Sequence, residues 1–163
     1  MRRAVIVSTA RTPIGRAYRG AFNDTQAQSL AGHAIAEAVK RAKVDPGEID
    51  DVIIGAALQQ GSQGSNVARQ AALRAGLPDT VAAMSLDRQC SSGMMAIATA
   101  AKEIMHDGMQ VAVGGGDSAR NRLQFRMMMA WTQSMPQVHA PAETGCIQNP
   151  NNRPAATTSS MTT

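Results

Sequence analysis

Along the first 118 positions the apolar residues follow two alternating rhythms. Short unbroken runs rich in Val, Ile and Ala predict buried strands at 3–8, 51–57, 81–88 and 109–114. Longer stretches, in which apolar residues recur three and four positions apart, predict amphipathic helices at 26–43, 66–75 and 91–106. In the first helix the buried stripe is expected at Ala27, Leu30, Ala31, Ala34, Ile35, Ala38 and Val39, with His33 on or near it. In the third it is expected at Met94, Ile97, Ala98, Ala101 and Met105. Asp24 or Thr25 is placed to cap the first helix, with Gln28 completing a capping box. Gly76 with Pro78 ends the second helix, and Gly108 ends the third.

Strands that alternate with helices imply βαβ units, hence an α/β fold with a layered, mostly parallel sheet. Sites in such sheets form at the carboxyl ends of the strands. Gly114, Gly115 and Gly116 are expected to turn the chain from the fourth strand into a loop, since no Lys-Ser/Thr pair follows to make a phosphate cradle. Beyond Ser118 the pattern fails. Arg120 to Arg126 show no clear face; Met127 to Trp131 suggest a helical fragment, with no further strand. Residues 136–163 are dominated by Pro, Asn, Thr, Ser and Ala, a composition that cannot bury enough surface to order itself. The expected organisation is therefore a domain at 1–118 and a divergent, disordered tail at 119–163.

Charge and composition narrow the function by exclusion. The net charge is +4, much of the excess lies late, at Arg120, Arg122, Arg126 and Arg153, and aromatics make up 2% of the chain. No basic block interleaved with aromatics is present, which argues against nucleic-acid binding. No apolar stretch reaches membrane-spanning length, and Ala4 to Val7 is too short for a signal core. Two cysteines without a spacing pattern point to no disulfide framework and to a reducing cytoplasm. No Cys/His cluster has metal-ligand spacing, so no metal is expected. Asp50 and Asp51 are adjacent in extended chain and face opposite ways, which argues against a paired acid/base site.

The candidate chemistry lies at Cys90, between the third strand and the third helix. A helix start offers unpaired backbone N–H groups and the positive end of the helix dipole, which favour the thiolate, the nucleophilic form. Ser91, Ser92 and Gly93 keep the first turn small enough for an acyl group to approach. The competing reading is a buried, inert thiol. The segment Asp87-Arg88-Gln89-Cys90-Ser91-Ser92-Gly93 resembles the acyl-accepting cysteine motif of the thiolase family, the acetyl-CoA acetyltransferases and 3-ketoacyl-CoA thiolases. Ala10-Arg11-Thr12-Pro13-Ile14-Gly15, Asn66-Val67-Ala68-Arg69-Gln70, Ala75-Gly76-Leu77-Pro78 and Val111-Ala112-Val113-Gly114-Gly115-Gly116 are similar to that family in order and spacing. The resemblance covers roughly Arg2 to Ser118 and implies the N-terminal half of the thiolase fold, incomplete in this chain.

The resemblance further implies that Cys90 takes an acyl group from acyl-CoA, that the coenzyme A thioester is a substrate rather than a permanently bound cofactor, and that subunits form homo-oligomers. It does not extend to the family's loop domain, its Gly-His-Pro motif or its second, acid–base cysteine. Gly115-Gly116-Asp117-Ser118 fits the family's Gly-Gly-x-Glu-Ser pattern only in part. His33, His106 and His139 are not assigned the histidine's role, nor Cys146 the second cysteine's. Two functional readings follow: a thiolase acyltransferase working through an acyl-cysteine in truncated form, or an inactive fragment or frame-shifted product acting at most as a binding partner of full-length subunits.

Overall fold

The computed structural model describes residues 2–16 and 19–117 in full, and the backbone alone of 119–120, 123–124 and 128–134. The strands are β1 (Ala4–Ala10), β2 (Asp51–Ala56), β3 (Ala82–Leu86), β4 (Val111–Asp117), the short β5 (Ala119–Arg120) and β6 (Leu123–Gln124), and β7 (Met128–Ser134). The helices are α1 (Ala27–Ala42), α2 (Val67–Arg74) and α3 (Ser92–Lys102). Five strands form one sheet in the order β1-β7-β4-β2-β3, while β5 and β6 pair with each other. β2 runs parallel to both β3 and β4, and β7 is antiparallel to its two neighbours, β1 and β4. The fold is thus α/β with a mixed sheet.

Alternation along β2 divides the core. Val52, Ile54 and Ala56 join the cluster formed with α1 and α2, whereas Ile53 faces Ala96, Ala100 and Ile104 of the α3 segment. Because both faces are covered, every residue of β2 is buried, the near-continuous apolar run typical of a parallel strand. Among the described residues no helix is long and apolar enough to cross a membrane.

Several elements depart from the sequence expectation. β1 is an edge strand, and Ile6 and Val7 stand exposed rather than buried. The backbone of residues 128–134 is a strand filling the slot between β1 and β4, where the methionine run suggested a helical fragment. Alternating positions are as available to that run as helical ones, and only the open slot in the sheet selects between them. The expected capping box is absent: α1 starts after Gln26 with no side-chain cap, and Gln28 donates its Nε2–H to Gln26 Oε1 at 2.9 Å. His33 is exposed, while its neighbours Gly32 and Ala34 are buried. His139, Cys146 and the rest of 135–163 lie outside the described residues.

The largest correction concerns α3. Its buried line is Ser92, Ala96, Ala100 and, in the following π-turn, Ile104. Met94 is 76% exposed, and Ile97, Ala98, Ala101 and Met105 are only partly covered. The reason is proximity. A Cβ on Gly114 would lie 3.0 Å from Ile97 Cα, and one on Gly116 would lie 3.0 Å from Gly93 Cα. The glycines expected to form a turn are therefore inside β4, where they let α3 lie close to the sheet. At that distance small residues fit the contact face and large apolar ones turn outward.

Candidate active site

β2, β3 and β4 are in register at one end, with Gly55 opposite both Leu86 and Gly116. The chain leaves β3 at that carboxyl end and makes a single 3₁₀ turn over Gln89–Ser91 before α3 begins at Ser92. Cys90 sits in this turn and is exposed, not the buried thiol of the competing reading. Its placement at strand end and helix start follows the expectation from the alternating pattern. Among the described residues no side chain hydrogen-bonds its thiol.

The turn is built by side chains on both sides of the cysteine. Asp87 Oδ1 accepts from the Gln89 amide at 2.8 Å, and its Oδ2 accepts from the Leu58 amide at 3.4 Å. That second bond ties the turn to the loop following β2. Ser91 Oγ donates to the Arg88 carbonyl at 2.9 Å. Ser92 Oγ accepts from the Arg88 amide at 2.8 Å and donates to the Gln89 carbonyl at 2.6 Å. Between these contacts Gln89 takes φ 51, in the left-handed region that non-glycine residues seldom occupy. Gly55 brings the whole turn onto the sheet: a Cβ there would lie 2.1 Å from the Ser92 carbonyl carbon and 2.2 Å from its oxygen.

Sequence reasoning identified the cysteine and read Ser91, Ser92 and Gly93 as small residues after it, but it gave no role to Asp87 or Gly55 and none to the Ser92 hydroxyl. A polar side chain two or three positions from a nucleophile has many possible partners, and a glycine in an apolar strand gives no hint of what approaches it. A separate group of acidic side chains gathers elsewhere. Asp50 and Asp51 do diverge: Asp50 Oδ2 accepts from the Gln110 and Val111 amides, while Asp51 is buried and lies near Glu103. Burial raises Asp51 above the usual carboxylate range, the Val52 amide works against that, and Asp50 adds to it. Glu103 is pushed up to about 7, chiefly by burial and then by Asp51 and Asp107. Asp51 opens β2 and Glu103 follows α3, so this acidic group lies at the opposite end of the sheet from Cys90. The sequence placed the two aspartates correctly and missed Glu103, whose nearness to Asp51 depends on the packing of α3.

Comparison with known proteins bears on the same region. The family described as "Thiolase, N-terminal domain" matches residues 4–158. A 3-ketoacyl-CoA thiolase of Bacillus subtilis is 44% identical over 128 residues, which is 78% of this chain and 32% of that protein. An acetyl-CoA acetyltransferase of Rhizobium meliloti is 43% identical over 112 residues, 69% of this chain and 28% of that protein. The crystal structure of the Bacillus anthracis acetyl-CoA acetyltransferase superposes with a TM-score of 0.66 at 45% identity, covering 71% of this chain and 29% of that one. The chain spans about a third of the length of the curated relatives it matches. With its α/β sheet, its turn at the strand ends and a family match that covers most of its length, this chain belongs to the thiolase family.

Proposed function

We propose that Cys90 is the acyl acceptor of a thiolase acyltransferase that forms or cleaves 3-ketoacyl-CoA. The observation that carries this reading is the exposed thiol at the carboxyl ends of three adjacent strands, directly before a helix, in a chain of the thiolase family. The nucleophilic form of a cysteine is its thiolate. That thiolate attacks the carbonyl carbon of an acyl-CoA thioester, and backbone amides at the turn stabilise the oxyanion that forms. The carbon–sulfur bond to coenzyme A then breaks, coenzyme A leaves as its thiolate and takes up a proton, and the acyl group stays on Cys90 as a thioester. Coenzyme A enters as substrate and product, not as a held cofactor.

Carbon–carbon bond formation needs more: a base to deprotonate the second acyl-CoA and an acid to return the proton. We assign neither role to His33, His106 or any other described residue. Homo-oligomerisation and a cytoplasmic setting belong to the same proposal and rest on the family resemblance and on the pattern of cysteines. The test is incubation of the purified chain with acetyl-CoA followed by intact-mass measurement and peptide mapping. An acetyl adduct on Cys90 that disappears in Cys90→Ser is the expected result. A chain that stays unmodified at acetyl-CoA concentrations that acylate a full-length relative overturns the proposal and leaves the inactive-fragment reading.

A further inference from the structure

We infer that Ser92 is a positioning residue for Cys90, its hydroxyl clamping the Arg88–Gln89 segment at the strained geometry that sets where the thiol stands. This rests on the reading of Cys90 as acyl acceptor and adds to it a residue that determines reactivity without touching the acyl group.

A helix's free amides are ordinarily served by the N-cap side chain, but Ser91, the N-cap of α3, makes no such bond, and the Ser92 hydroxyl after it turns the other way. Both of its bonds run backward across the cysteine, one to the Arg88 amide and one to the Gln89 carbonyl. Ser92 is 3% exposed, so water does not compete for these bonds. They hold a stretch that would otherwise relax. Gln89 is at φ 51, and Arg88, at φ −141 and ψ 41, lies outside the main basins as well. Left-handed geometry at a residue with a Cβ persists only where its surroundings enforce it. Here the enforcement is two-sided, because the Gln89 amide is bound by Asp87 and its carbonyl by Ser92.

The clamp is also referenced to the sheet. Ser92's main chain lies on Gly55 at a separation that admits no Cβ. Asp87 reaches the loop after β2 through Leu58. Cys90, exposed and between two anchored residues, has its direction set by the turn rather than by contacts of its own. A purely structural serine would stabilise α3 generally. A positioning serine changes the thiol's reactivity even where the fold persists.

The experiment uses the full chain in a Cys146→Ser background, so that Cys90 is the one thiol. Its rate of alkylation by iodoacetamide is followed against pH in four proteins: the parent, Ser92→Ala, Ser92→Ala with Gln89→Gly, and Ala98→Gly. The last sits at a partly exposed position of α3, weakens the helix without pressing it off the sheet, and controls for general loosening of α3. Ser92→Ala is expected to slow neutral-pH alkylation about tenfold. Adding Gln89→Gly is expected to recover most of that loss, because glycine adopts positive φ without being forced. Ala98→Gly is expected to alkylate as the parent does. A parent-like pH profile in Ser92→Ala overturns the clamp. So does an equal loss in Ala98→Gly with no rescue by Gln89→Gly. Acetylation by acetyl-CoA is measured on the same proteins. A clamp-dependent alkylation profile with no acetyl adduct on the parent refutes the acyl-acceptor reading and leaves the clamp standing. An adduct that forms equally fast in the parent and in Ser92→Ala refutes the clamp alone.

Discussion

Asn66 shows how much one polar side chain can hold. It precedes α2 with φ 59 and ψ 72, and its Oδ1 accepts both from the Arg69 amide at 3.2 Å and from Ser85 Oγ at 3.0 Å. Its Nδ2 donates to the Ala83 carbonyl at 3.0 Å, so one amide caps the helix and fastens it to the edge strand β3. Asparagine suits this place twice over, as a cap and as a residue tolerant of left-handed geometry. Asn66→Ala is expected to lower unfolding stability by about 1–2 kcal/mol, and Asn66→Gly by distinctly less, because glycine keeps the backbone permission and loses only the bonds. Urea titration of both variants checks this, and an equal loss in the two would show that the positive φ contributes little. Ser92 near Cys90 works on the same logic, turned from stability toward placement of a thiol.

At the scale of elements, the seating of α3 on the sheet decides where Cys90 stands. The Gly55 contact under Ser92 and the meeting of Gly93 with Gly116 bring the helix start to the strand ends. A methyl at Gly55 must push the Ser92 main chain away, so Gly55→Ala is expected to cost about 1–3 kcal/mol by overpacking. It is also expected to lower the yield of acetyl-Cys90, since the turn moves with the helix. Chemical denaturation together with the mass assay tests both. A stable Gly55→Ala protein with parent-like acetylation would show that the close seating is dispensable. The same seating explains why the sequence misjudged the helix's buried face. Periodicity marks the large apolar residues, but the sheet under α3 accepts Ala96 and Ala100, and Met94 is left outward.

For the whole molecule, the acidic group at the end of the sheet away from Cys90 makes stability depend on pH. Glu103 has an ordinary value of 4.5 and is raised to about 7 in the fold, and its Oε2 is buried without a hydrogen-bond partner among the described residues. Asp51 is raised as well. The folded chain therefore holds protons that the unfolded chain has already released, and unfolding releases them between the two values. Stability from this source is full below about pH 4.5 and is lost as pH rises through about 7. The urea midpoint is expected to be lower near pH 8 than near pH 5, and Glu103→Gln is expected to flatten that fall. A variant with the parent's pH dependence would remove Glu103 from the account.

The sequence by itself determined the α/β class, the order of β1 to β4 with α1 to α3, the family, and the placement of Cys90 between a strand and a helix. Each of these is local or nearly so: a period of apolar residues, a breaker, a motif read within one segment. Tertiary structure decided what depends on one element meeting another. Sheet order left Ile6 and Val7 exposed, and an open slot made a strand of 128–134. Close approach through Gly55, Gly93, Gly114 and Gly116 chose small residues for the inner face of α3. Burial beside Asp51 raised Glu103, and the partners of Asp87 and Ser92 fixed the turn around the thiol. Hydrogen bonds and steric contacts act over a few ångströms of space, and residues within that range, such as Gly55 and Ser92, can be dozens of positions apart along the chain.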